Sequence, residues 1–244
     1  MEVHHHPHVE KKNFKEYFLE FIMIFLAVTM GFFAESYRES LNDSTKEKEF
    51  MTSIIKDLKS DTSTYANYAK NNVEIYVTID SLTSLMKSSE REKHINGIYF
   101  FARMLTLKLL LHFPSTGTYD QMKNSGQLRI IHNREVADNI SSYYNSLEIM
   151  NSFNEVLLTH DYDYMRTMGK VFDAQILLNI LKERKEPSQQ SLKLLTEDPA
   201  TINELLTEAQ YIYGSLRLAQ NITTQRQQSA EVLITLISAT YNIK

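Results

Sequence analysis

Apolar side chains in this chain come in two arrangements: one unbroken block near the start and, after it, stripes spaced by three and four residues. The block is residues 17–34, YFLEFIMIFLAVTMGFFA, eighteen residues with a single charged side chain, Glu20. At about 1.5 Å per helical residue it reaches roughly 27 Å, close to the roughly 30 Å hydrocarbon core of a bilayer. Phe18, Phe21, Phe25, Phe32 and Phe33 fall all around a helix axis, unlike the one-sided face of a core helix. The exit Glu35-Ser36-Tyr37-Arg38-Glu39 offers no small-x-small cleavage site of the kind that ends a signal peptide. A retained transmembrane helix is predicted.

Beyond the block, residues 35–86 contain neither Pro nor Gly. Phe50, Ile54, Leu58, Tyr65, Tyr68, Tyr76, Ile79 and Leu82 recur at mostly helical spacing, which predicts one long helix, with a polar stretch at 59–64 weakening the stripe. A polar turn at 88–94 leads to a second apolar segment, 95–113. Arg103, Lys108 and His112 interrupt it, and Arg or Lys at a bilayer centre costs about 2.5–3.5 kcal/mol on insertion scales. It is predicted to be a core helix, stopping at Pro114. A short helix follows, with Thr118 as N-cap and Gly126 as the residue that ends it. Asn133 caps the next, which carries Val136, Ile140, Tyr143, Tyr144 and Leu147 and runs to about Phe172. After a charged break at 182–188, Asp198 and Pro199 open a last amphipathic helix, broken by a Gln-rich turn at 223–228 and returning along the first.

The predicted class is all-α: an N-terminal transmembrane helix followed by an up-and-down bundle of about four long helices. Three segments result: a His-rich headpiece at 1–16, a transmembrane helix at 17–36 and a soluble helical-bundle domain at 37–244.

Charge adds an orientation. Lys11, Lys12 and Lys15 precede the span and only Arg38 follows it closely, which puts the N-terminus in the cytoplasm. In a bacterium that means a single pass through the inner membrane with the bundle in the periplasm. Past residue 40 the acids exceed the bases by only two, so the bundle lacks the basic footprint of a nucleic-acid binder. The absence of Cys decides nothing about compartment.

Candidate chemistry is sparse. His4, His5, His6 and His8 could chelate a divalent metal or simply form a flexible headpiece. No other cofactor is suggested. Within the span, Glu20, Ala27, Gly31 and Ala34 share one stripe whose small residues let a second helix approach closely. The loop Ser115, Thr116, Gly117 and Thr118, rich in hydroxyls and amides beside a helix start, is a candidate for binding an anion or a peptide. His160 and Asp163 share a face but supply only two of the ligands that a zinc site needs. No catalytic constellation emerges, and an enzyme is not expected.

The run 115–133, STGTYDQMKNSGQLRIIHN, followed by Tyr143-Tyr144, resembles an uncharacterised bacterial family of small single-span membrane proteins, a domain of unknown function. The resemblance covers most of the first 150 residues and implies a topology without an activity. Lipid bilayer, self-association and a protein partner are the expected contacts. The expected role is a non-catalytic interaction or accessory subunit of an envelope complex; a ligand-sensing bundle and an oligomeric channel are the alternatives.

Overall fold

A computed structural model describes residues 13–109, 111, 113–189 and 191–243. The histidine cluster at 4, 5, 6 and 8 lies outside the described residues, as does His112. All regular structure among the described residues is helical: α1 Phe14–Lys87, α2 Ile95–Lys108, α3 Gly117–Asn124, α4 Arg134–Asn145, α5 Glu148–Val171, α6 Ala174–Glu183 and α7 Pro199–Tyr241. The chain divides into two compact units, Met1–Glu49 and Phe50–Lys244. The core positions of α1 begin only at Met51.

In the first unit α1 carries a stretch long and apolar enough to cross a membrane, with mean hydropathy 2.0 and none of it buried by the chain itself. Phe18, Phe21, Phe25, Phe32 and Phe33 are all more than half exposed.

The second unit is a helical bundle held by a strict alternation of three- and four-residue steps. On α1 the seam runs Met51, Ile54, Leu58, Asp61, Tyr65, Tyr68, Asn72, Ile75, Ile79, Leu82 and Met86, with Glu47, Ile55 and Thr78 buried beside or ahead of it, the a/d seam of a coiled-coil-like packing. The polar stretch at 59–64 therefore does not interrupt the seam; Asp61 occupies it. On α7 Ile202, Leu205, Ala209, Ile212, Leu216, Ala219 and Thr223 continue the rule to Ala230, Leu233 and Ile237. The two helices run antiparallel. Tyr76 packs at a tilt against Tyr213, ring centroids 4.6 Å apart, and donates to Gln220 at 3.1 Å, while Met51 and Ile54 share a core with Leu233 and Ile237.

Between them the chain goes up and down through composite columns. α2 returns along α1, where the Asn71 amide donates to the Lys108 carbonyl at 2.8 Å. α4 and α5 descend against α7, with Thr167 donating to Glu208 at 3.0 Å. α6, absent from the sequence expectation, packs on α2. Its start is tied down by Tyr99, whose hydroxyl accepts from the Asp173 amide and donates to the Lys193 carbonyl.

Several local expectations hold: Asn133 accepts from the Val136 amide at 3.1 Å, Asp198 from Thr201 at 2.9 Å, and Gly126 takes the left-handed φ of 70°. Asn133→Ala should cost about 1 kcal/mol of stability, read as a fall of about 2–4 °C in the thermal midpoint. An unchanged midpoint would show that the cap contributes nothing.

Others are corrected. α2 ends at Lys108, ahead of Pro114, with Leu109 extended. The helix predicted from Asn133 to Phe172 is two, because Ser146 and Leu147 form a tight turn in which the Leu147 amide donates to the Tyr144 carbonyl. The buried stripe Ile140, Tyr143, Leu147, Met150 passes through that turn unbroken, so periodicity is blind to it. No Gln-rich turn exists at 223–228: α7 is continuous, the Thr223 hydroxyl satisfying the Ala219 carbonyl at 2.7 Å.

Candidate functional site

The apolar interior of the bundle forms two separate clusters, one from Tyr68 toward Met86 on α1 and one around Met51 to Leu58. Asp61 and Tyr65 lie between them on α1 and belong to neither. One helical turn apart on the seam, both side chains face inward, and the bundle meets them with polar partners.

The Asp61 carboxylate is only 2% exposed. One oxygen accepts from the Ser115 amide at 2.8 Å and the other from the Tyr143 hydroxyl at 3.1 Å. The Tyr143 hydroxyl lies 3.2 Å from that of Tyr65. Burial raises the Asp61 pKa, and the Ser115 and Tyr143 donors oppose that rise. Burial also pushes Tyr65 up to about 12 and Tyr143 well above the ordinary phenol range. Both tyrosines are therefore neutral hydrogen-bonding groups near neutral pH.

The loop Ser115, Thr116, Gly117, Thr118 sits against this carboxylate. Its Ser115 amide binds Asp61, and its Thr118 amide points at Asp57 at 3.4 Å. Thr118 is thus not the N-cap: α3 begins at Gly117, Thr116 stands in the cap position without a side-chain bond, and an α1 carboxylate supplies the acceptor instead. A Cβ on Gly117 would meet nothing within 4 Å. Tyr119 and Tyr144 stack face to face at 4.3 Å. Among the described residues the buried Tyr144 hydroxyl has no hydrogen-bond partner.

Beside the network a groove of about 570 Å³ opens between α4 and α7. Asn139 and Ser142 line it from α4, with Ser146 from the turn that follows and Tyr143 beside them. Gln225, Gln228 and Ser229 line it from α7, together with Arg226. Arg226 is the seam position between Thr223 and Ala230, where the register demands an inward direction. It is half-buried, its charge acts on Tyr65, and among the described residues it has no ion pair.

A second polar pair lies in the other cluster. Asp161 is 8% exposed and takes a seam place on α5 between Leu157 and Tyr164. One of its oxygens and the Nε of Arg103 on α2 are buried without hydrogen-bond partners. Burial raises the Asp161 pKa to about 6, with the Arg103 charge opposing. The Glu208 pKa is also raised by burial, with Thr167 opposing.

Sequence reasoning placed Asp61 in a polar stretch and Arg226 in a turn, and gave Asp161 no inward place. The signal was available in each case: a charged residue falling in phase with an apolar seam.

The remaining candidates are kept apart. Ala27, Gly31 and Ala34 are exposed on α1, Glu20 is half-buried, and a Cβ on Gly31 would meet nothing within 4 Å. His160 contacts Ser215 through Nδ1 at 3.0 Å and packs on Tyr211, while Asp163 pairs with Arg166. Among the described residues no three His, Cys, Asp or Glu side chains converge to hold a metal ion. Compared with protein-family models, curated proteins and solved structures, the chain matches none.

Proposed function

We propose that this protein is a membrane-anchored, non-catalytic helical bundle that works as an interaction or accessory subunit of a bacterial envelope complex. The observation that carries the reading is the fully uncovered apolar stretch of α1, which needs lipid or another helix around it. Along that stretch Ala27, Gly31 and Ala34 form a shallow notch, open at Gly31, of the kind that lets membrane helices pack closely. The lysines before the span favour an inner-membrane single pass, N-terminus cytoplasmic and bundle periplasmic.

Native mass measurement of the intact chain, extracted from membranes in mild detergent, tests this. A stable oligomer or a defined complex is expected, weakened by Gly31→Ile, which fills the notch. A lone monomer, unchanged by the substitution, would overturn the reading.

A further inference from the structure

We propose that the groove between α4 and α7 is a binding site for a small hydroxylated anion, with Arg226 as its anchor. The seam register of α7 turns Arg226 toward the bundle, at a position where the neighbouring turns bury Thr223 and Ala230. Arg226 is half-buried on the groove wall, with no ion pair among the described residues, so its guanidinium is placed to take an anion that enters the groove. The buried acid on the facing seam, Asp61, has both oxygens bonded to Ser115 and Tyr143 and forms no ion pair with it. No carboxylate lines the groove. Its polar lining is instead hydroxyls and carboxamides, Ser142, Ser146 and Asn139 opposite Ser229, Gln225 and Gln228, with Val232 and Leu233 adding an apolar end. These groups donate and accept hydrogen bonds in the pattern a polyol needs. The guanidinium fork takes a carboxylate or a phosphate through two parallel bonds. The volume, about 570 Å³, falls in the usual range for small-ligand clefts.

Occupancy would bear on α1. Tyr143 forms part of the groove wall and donates to Asp61, so a ligand resting there touches the network that holds α1, α4 and the 115–118 loop together. The site is independent of whether the chain assembles with partners.

The test uses the full chain in mild detergent at constant ionic strength. Thermal midpoints are read with gluconate, with glycerol 3-phosphate, and with neutral glucose and glycerol, each at about 10 mM to reveal millimolar affinity. One or both anions should raise the midpoint and the neutral polyols should not. A response to gluconate alone assigns a carboxylate ligand, to glycerol 3-phosphate alone a phosphate, and to both the shared anion chemistry. Arg226→Gln should abolish the response, and Arg226→Lys should weaken binding by about tenfold, because a point charge replaces a fork. Ser229→Phe, an exposed wall position, should block binding with the charge intact and the fold undisturbed. Absence of a shift with both anions overturns the proposal, as does an equal shift in Arg226→Gln.

Discussion

Replacing Asp61 with Ala should lower the stability of the bundle by about 2–3 kcal/mol, the sum of two buried donors left without an acceptor at about 1–3 kcal/mol each, less the relief of no longer burying a carboxylate. The donors are the Ser115 amide and the Tyr143 hydroxyl. Because Tyr143 keeps its contact with Tyr65, the loop should suffer more than α4. The expected drop in thermal midpoint is about 5–10 °C. Asp61→Asn, which retains one acceptor of similar shape, should lose about half as much. Circular dichroism melts of the full chain in detergent distinguish the cases. A midpoint that does not move in Asp61→Ala would mean that water satisfies both donors and that the network does not hold the loop.

Asp161→Asn should do the opposite, and only at neutral or higher pH. The folded-state pKa of Asp161 is raised to about 6, above the roughly 3.9 of an exposed Asp. The native state therefore holds its proton where the unfolded chain has lost it. Stability linked to this group is fully present below about pH 4 and is lost as pH rises through about 6. At about 1.4 kcal/mol for each pH unit separating the two values, the loss comes to roughly 3 kcal/mol at most. Arg103 on α2 attracts the ionised form, and Glu208 on α7 is a second raised carboxyl in the same cluster. Asn cannot ionise, so the variant should gain about 1–3 kcal/mol over the native chain at pH 8 and nothing at pH 4. Midpoints measured from pH 4 to pH 8 decide it. A variant whose stability falls with pH as steeply as the native chain would place the linkage on Glu208.

The heptad seam explains why both acids matter more than their sequence context suggests. Asp61, Arg226 and Asp161 each sit where the three-and-four rhythm requires an inward residue. In sequence they look like surface positions, because nearby side chains such as Lys59, Gln225, Gln227 and Asp163 are polar too. What separates them is phase, which becomes legible only when the seam is followed over many turns.

Sequence by itself determined the all-helical class, the apolar stretch of α1 and the helix boundaries at Asn133, Gly126 and Asp198, because each depends on local chemistry: hydropathy, capping side chains and a glycine's freedom at positive φ. Only the tertiary structure decided the rest. The turn at Ser146 and Leu147 costs no apolar contact and so leaves no trace in the pattern. Asp57 and Asp61 serve the 115–118 loop from more than fifty positions earlier in the chain. The groove beside Arg226 exists because α4 and α7, remote in sequence, are brought side by side, and such pairing depends on long-range packing that local spacing does not encode.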